Sequence, residues 1–302
     1  MPRSFDIELS ELESLHNADP ATTLAPLRKA LTHKNNYIVA KAAKLAATHN
    51  HTTLTDSLAE AFPRFLRDPA KSDPQCWAKN ALAQTLATFE YQDPALFLLG
   101  LHHIQPEPVW GGQEDTAGTL RGICALALVQ CRTLSSHEVL THLLPLFADK
   151  QLPVRVNAAR AVEQIGTPSA ALLLRLRAEL ASDAPELLGA CYGAVLRLDG
   201  PAAIPWAAKF LAHEDPAAEE AALSIAETRT EQAADLLIAT HKKSRDPDFR
   251  ATLCTALALT RHDKAIDYLF TLIDEGSKPA REALLTATPT PAILARLQEL
   301  KT

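Results

Sequence analysis

The residues best suited to hold a redox metal are two His-Glu dipeptides, His137-Glu138 and His213-Glu214. A dinuclear iron site in a helical protein needs a full set of carboxylate and imidazole ligands from several helices. Two pairs fall short of that set, and His213-Glu214 stands at a helix exit just before Asp215-Pro216. A second concentration of donors, His102, His103, Glu107, Glu114 and Asp115, has no His pair at i, i+4. Adjacent histidines point in different directions, so these side chains do not converge as metal ligands do. Asp115-Thr116 reads instead as the cap of the next helix, and His49 and His51 as residues closing a helix, where imidazole suits the negative end. The Cys count is odd, at five, and widely spaced, which fits neither a disulfide framework nor a zinc ribbon. Cys124, Cys191 and Cys254 read as small core residues. Cys76, after Asp73-Pro74, is the one cysteine expected to have a lowered pKa, although no His or Asn partner can be assigned to it. The sequence therefore assigns no catalytic residue, no metal and no cofactor.

Binding chemistry is better represented. The segment HHIQPEPVWGGQEDT, residues 102–116, carries Trp110 ahead of Gly111-Gly112. Two readings stand for Trp110. It folds back over apolar surface, as most Trp side chains do, or an inserted loop presents it as an anchor for a partner.

The elements that must position these residues are helices. From Leu152 to Leu180, Ala158, Ala161, Val162 and Ile165 recur at i, i+3, i+4 and i+7, one face of a helix. Gly166 with Thr167-Pro168 ends that helix and starts another, whose expected buried stripe is Leu172, Leu173, Leu176 and Leu180. Following the Ala158 slot along the chain gives Ala42, Ala78, Cys124, Ala158, Cys191, Ala221, Leu253 and Leu284, at intervals of 36, 46, 34, 33, 30, 32 and 31. The slot four residues on is Ala46, Leu82, Leu128, Val162, Val195, Ile225, Leu257 and, as the one polar exception, Thr288. The long interval maps to 102–116, the inserted loop. Six Asp-Pro steps, at Asp19, Asp68, Asp73, Asp93, Asp215 and Asp246, match a helix cap followed by Pro in the first turn.

Asp149, Val154, Arg155, Ala158, Ala159, Ala161, Val162, Ile165 and Gly166, echoed by Leu120, Arg121, Cys124, Ala125, Ala127 and Leu128 and by Phe249, Arg250, Leu253, Ala256 and Leu257, resemble HEAT repeats of the short bacterial type related to phycobilisome-lyase repeats. The resemblance covers roughly residues 20–302. It implies an all-α fold, an α-α superhelix (HEAT-like solenoid) of about eight helical hairpins. One domain spans 1–302, with 1–19 as an N-terminal cap. Tetratricopeptide repeats would hold a strict 34-residue period with Trp and Tyr signposts, which are missing. Deoxyhypusine hydroxylase is similar in repeat type but uses four His-Glu pairs. HEAT-like DNA glycosylases need a cationic groove with stacking aromatics, and no such set aligns. Bilin lyases share the repeat type, without an identifiable pigment-binding residue here. The recurrent arginines Arg121, Arg155, Arg250 and Arg281 are expected to reach carbonyls or carboxylates of neighbouring hairpins.

In a solenoid the second helix of each hairpin lines the recognition surface. With the Ala158 stripe buried, Asn157, Arg160 and Gln164 fall on an exposed flank. The corresponding positions are Lys41 and Lys44, then Trp77, Asn80 and Gln84, then Gln130, and later Arg197, Glu220 and Glu227. The strip runs from basic through amide to acidic, and a partner of opposite charge order would fit it. Hydrophobic residues form 47% of the chain and the net charge is −6, spread along its length. That balance argues against disorder and against a dedicated nucleic-acid surface. No apolar run reaches the length of a membrane span, and no secretory signal is read. The expectation is a monomeric, cytoplasmic, non-enzymatic scaffold that binds an unknown protein partner through Lys41, Lys44, Trp77, Asn80, Gln84, Trp110, Gln130, Asn157, Arg160, Gln164 and Arg197. An enzyme or small-ligand site near 102–116 is one alternative. A nucleic-acid binder using Lys41, Lys44 and the stretch His241-Lys242-Lys243-Ser244-Arg245 is the other.

Overall fold

Alanine-rich periodicity, Asp and Thr caps and Pro-started turns leave the chain little choice but helices. The computed structural model describes residues 4–299, and the protein is all-α apart from one strand pair. Two compact units divide it, Met1–Gln164 and Ile165–Thr302. In the first, α1 (Ser4–Ser14) precedes α2 (Pro20–Leu31) and α3 (Asn36–Thr48). Then come α4 (Thr55–Ala61), the short α5 (Pro69–Ser72) and α6 (Trp77–Thr88), followed by α7 (Pro94–Leu101) and α8 (Gly118–Leu128). Then come α9 (Ser136–Leu143) and α10 (Leu152–Ile165), whose final residue enters the second unit. The second unit pairs α11 (Pro168–Glu179) with α12 (Pro185–Asp199), and α13 (Ile204–Ala208) with α14 (Pro216–Ala226). It continues with α15 (Glu231–Lys243) and α16 (Pro247–Thr260), then α17 (Asp263–Asp274) and α18 (Lys278–Ala287), and finally α19 (Pro291–Glu299).

Within the first unit α3 packs on α6 and α6 on α8; within the second, α12 packs on α14, α14 on α16 and α16 on α18. The repeat slot explains this row. Ala42, Ala78, Cys124, Ala158, Cys191, Ala221, Leu253 and Leu284 are all fully buried, as are the apolar residues four positions on, and Thr288 is buried too. Small side chains at the slot let neighbouring helix backbones approach closely, so dispersion contacts accumulate along the row.

Four of the six Asp-Pro aspartates cap their own helices: Asp19 accepts from Ala21 N, Asp93 from Ala95 N, Asp215 from Ala218 N and Asp246 from Phe249 N. Asp68 makes no side-chain cap and lies in the left-handed region at φ 47°. Asp73 caps a later helix, accepting from the amides of Ala78 and Lys79 at the start of α6.

The expected stripe of α11 is a correction. Leu172, Leu176 and Leu180 are exposed, and Ala170, Ala171, Leu174 and Ala178 face inward. Alanines seat α11 against α12, so the larger side chains turn outward. Of the recurrent arginines, Arg250 needs correcting as well. Arg155 donates to the carbonyls of Asp149 and Lys150, whereas Arg250 donates to those of His241 and Ser244 within its own hairpin. Arg121 reaches a different hairpin, pairing with Asp149 at 2.8 Å.

Gly100 shows how tight the α7–α8 contact is: a Cβ there would lie 2.4 Å from Cys124 Sγ. Gly100→Ala is expected to destabilise the first unit by about 1–3 kcal/mol, because overpacking outweighs the gain in helix propensity. Adding Cys124→Ala should recover most of that loss in a urea-denaturation double-mutant cycle. No recovery would place the strain elsewhere.

Candidate binding surface in the first unit

The inserted segment is a β-hairpin, where the sequence suggested a loop. β1 (Pro106–Val109) pairs antiparallel with β2 (Gly112–Asp115), Val109 facing Gly112, so Trp110 and Gly111 form a two-residue turn. Gly111 sits at φ +90°, a conformation that favours glycine. Trp110 does not fold back. Its side chain is fully exposed at the tip, beside the partly exposed Val109.

The root of this hairpin is a buried polar network. Glu107, 7% exposed, accepts from Gln75 N at 2.7 Å, Gln75 Nε2 at 3.3 Å, Gln105 Nε2 at 2.7 Å and Thr116 Oγ1 at 2.6 Å. Burial pushes its carboxyl up, but hydrogen bonds from Thr116, Gln105 and Gln75 outweigh that and hold it below the usual value. Gln105, itself buried, also donates to the Asp73 carbonyl at 2.9 Å. Asp73 and Lys79 form a fully buried ion pair at 2.9 Å. Asp115 accepts from Gln105 N and Ala117 N and pairs with Arg121 at 2.7 Å. Burial raises the Asp115 carboxyl, and these donors bring it below its ordinary value.

Between Asp73 and α6, Gln75 and Cys76 are consecutive non-glycine residues at φ 60° and 55°. Each left-handed residue costs about 1–3 kcal/mol and persists only where surrounding structure enforces it. Here the enforcing contacts are the Glu107 clasp on Gln75 and the Cys76 Sγ contact to Gln105 Oε1 at 3.3 Å. The reactive-thiol expectation for Cys76 is overturned, because burial pushes its pKa up to about 11. The network holds the hairpin against the start of α6, whose first residue is Trp77.

Trp77 leads directly to the predicted polar flank. Lys41, Lys44, Trp77, Asn80 and Gln84 line one groove of about 550 Å³, together with Tyr37 and Ile123. Trp77 is half exposed and meets Tyr37 edge-on, with ring centroids 5.4 Å apart, and Phe5 of α1 approaches Tyr37 in turn. Tyr37 and Ile123 were missed by the sequence reading, although Tyr37 stands one helical turn before Lys41 on the same flank. The remaining candidates fall elsewhere. Gln130, Arg160 and Gln164 are exposed and line no part of this groove, and Asn157 packs beside Gly122. Arg197, in the second unit, pairs with Glu227 at 3.1 Å beside a separate small cleft.

Other donor sets resolve into local structure. Glu138 completes a capping box with Ser135, and His241 of the basic stretch is buried. Burial lowers the His103 pKa, while its Nε2 contacts Gln105 Oε1 at 3.0 Å. Among the described residues, no three His, Cys, Asp or Glu side chains gather as a metal site, and no helix is long and apolar enough to cross a membrane. No protein-family model matches the chain, and no curated protein matches it.

Proposed function

We propose that this chain is a monomeric, cytoplasmic protein-binding scaffold of HEAT-like type, whose contact surface in the first unit joins the Trp110 hairpin to the Lys41–Gln84 groove. The observation that carries this reading is the pairing of a fully exposed Trp110 with a hairpin root fixed by buried hydrogen bonds. A rigidly presented indole loses little entropy on docking and buries a large apolar area, the profile of an interface anchor. The backbone strain at Gln75 and Cys76 fits the same view, since strained residues concentrate where a surface is being held for use.

The test is affinity capture from native cell extract with nuclease added, comparing the wild type with Trp110→Ala. Because Trp110 contacts solvent, the variant should keep its stability within about 0.5 kcal/mol. A protein captured by the wild type should be lost, with affinity reduced by about 2 kcal/mol or more. Equal capture by both forms would remove the hairpin from the interface.

A further inference from the structure

We propose that the groove on α3, α6 and α8 takes an extended acidic peptide segment of a partner protein, a reading that rests on the scaffold function above. Its charge is the first reason. The groove lining includes Lys41 and Lys44 and no carboxylate, in a chain whose overall charge is −6. The chain itself shows what these lysines accept, since Glu13 of α1 places a carboxylate 3.4 Å from Lys41 Nζ. Lys44, exposed one turn further along, has no ion-pair partner among the described residues.

Main-chain recognition is the second reason. Asn80 and Gln84 line the groove, with the Asn80 Oδ1 turned away from solvent. The Gln84 amide offers both donor and acceptor and the Asn80 Nδ2 a donor, which matches the alternating N–H and C=O of an extended backbone. Aromatic walls supply the third feature. Tyr37 and Trp77, both partly exposed and in edge contact, flank the groove and would cover one apolar side chain of the peptide.

Three helices side by side at roughly 9 Å spacing give a track of about 20 Å, which about six extended residues cover. The bound segment therefore carries carboxylates at the α3 end, where the lysines are. Its central main chain lies over Asn80, and its apolar residue sits against Trp77.

The experiment uses the whole chain and fluorescein-labelled peptides of about ten residues: a Glu-rich sequence with a central Phe, the same sequence with every Glu replaced by Gln, the same with every Glu replaced by Lys, and an oligothymidylate control. Anisotropy should show the Glu peptide binding at least tenfold more tightly than the Gln or Lys peptides, and weakening as salt rises from about 0.05 to 0.3 M. The double variant Lys41→Glu/Lys44→Glu should lose at least tenfold for the Glu peptide and little for the Gln peptide. Asn80→Ala should weaken both peptides alike. Thermal unfolding of each variant, unchanged from wild type, would confirm intact folding. Equal binding of the Glu and Gln peptides, or tighter binding of oligothymidylate, overturns the proposal, the latter in favour of a nucleic acid. Absence of peptide binding, with Trp110-dependent capture of a protein intact, also overturns it and leaves the scaffold reading standing.

Discussion

Lys79→Met is expected to destabilise the first unit by about 3–5 kcal/mol, the usual consequence of leaving one member of a buried ion pair alone. Lys79 and Asp73 are both fully buried, 2.9 Å apart. Asp73 also accepts from Asn36 Nδ2 and from the amides of Ala78 and Lys79, while Lys79 Nζ donates to the Phe65 carbonyl at 3.1 Å. Every contact that keeps this charge pair tolerable is thus local and specific. Asp73→Ala should cost at least as much, since it orphans Lys79 together with the first amides of α6. The double replacement Asp73→Leu/Lys79→Met should recover part of the loss, because two apolar side chains remove both charges at once. Urea denaturation of the four proteins checks this. Single-variant losses below about 1 kcal/mol would mean that water reaches the pair and that burial is not its governing feature.

The same substitution should loosen the candidate surface before it unfolds the unit. Gln105 holds the hairpin through the Asp73 carbonyl and Glu107, so disturbing the segment around Asp73 releases β1 and β2 from α6. Stability and presentation of Trp110 therefore share one network. This gives a physical reason for placing a costly buried charge in a unit otherwise built from alanine and leucine.

How far the sequence could be read depended on what set each residue's place. The buried row from Ala42 to Leu284 was legible because helix periodicity and close backbone approach leave only small or apolar choices there. The same rule misled at Leu172, Leu176 and Leu180. Size alone marks them as core, yet Ala170, Ala171, Leu174 and Ala178 are the buried residues of α11 and these three leucines face out. Lys41, Lys44, Trp77, Asn80 and Gln84 were found as one flank, and the groove assembles them, because equivalent turns of adjacent packed helices bring equivalent residues together. Lys79 was invisible. A lysine in a helix reads as solvated surface, and its burial follows from Asp73 and Phe65, six and fourteen positions away through an irregular turn. The hairpin at 106–115 was hidden for a related reason. Its Pro-Glu-Pro-Val and Gly-Gln-Glu-Asp strands lack β-propensity, and tertiary anchoring of Glu107 and Asp115 makes them pair.

Acidification should unload a second, independent store of stability, centred on His241 in α15. Its side chain is buried, with Nδ1 2.9 Å from Tyr268 Oη and Nε2 3.6 Å from Cys254 Sγ. Burial, reinforced by the Arg250 charge, lowers its pKa from 6.5 to about 4. The unfolded chain therefore binds a proton at a pH where the folded one does not. The contribution of His241 is fully present above pH 6.5, is lost progressively as pH falls toward 4, and is gone below that. A depression of this size corresponds to about 3 kcal/mol at most. His241→Gln keeps a polar side chain without a titrating proton, so its stability should vary less across this window. Hydrogen exchange on peptides from α15 and α16, measured at several pH values between 7 and 4.5, reads the difference within the second unit. Wild type and variant converging by about 2–3 kcal/mol on acidification would establish the buried neutral imidazole. A constant gap across the window would show that His241 gains its proton in the folded state at its ordinary pH, with water reaching the ring between Tyr268 and Cys254.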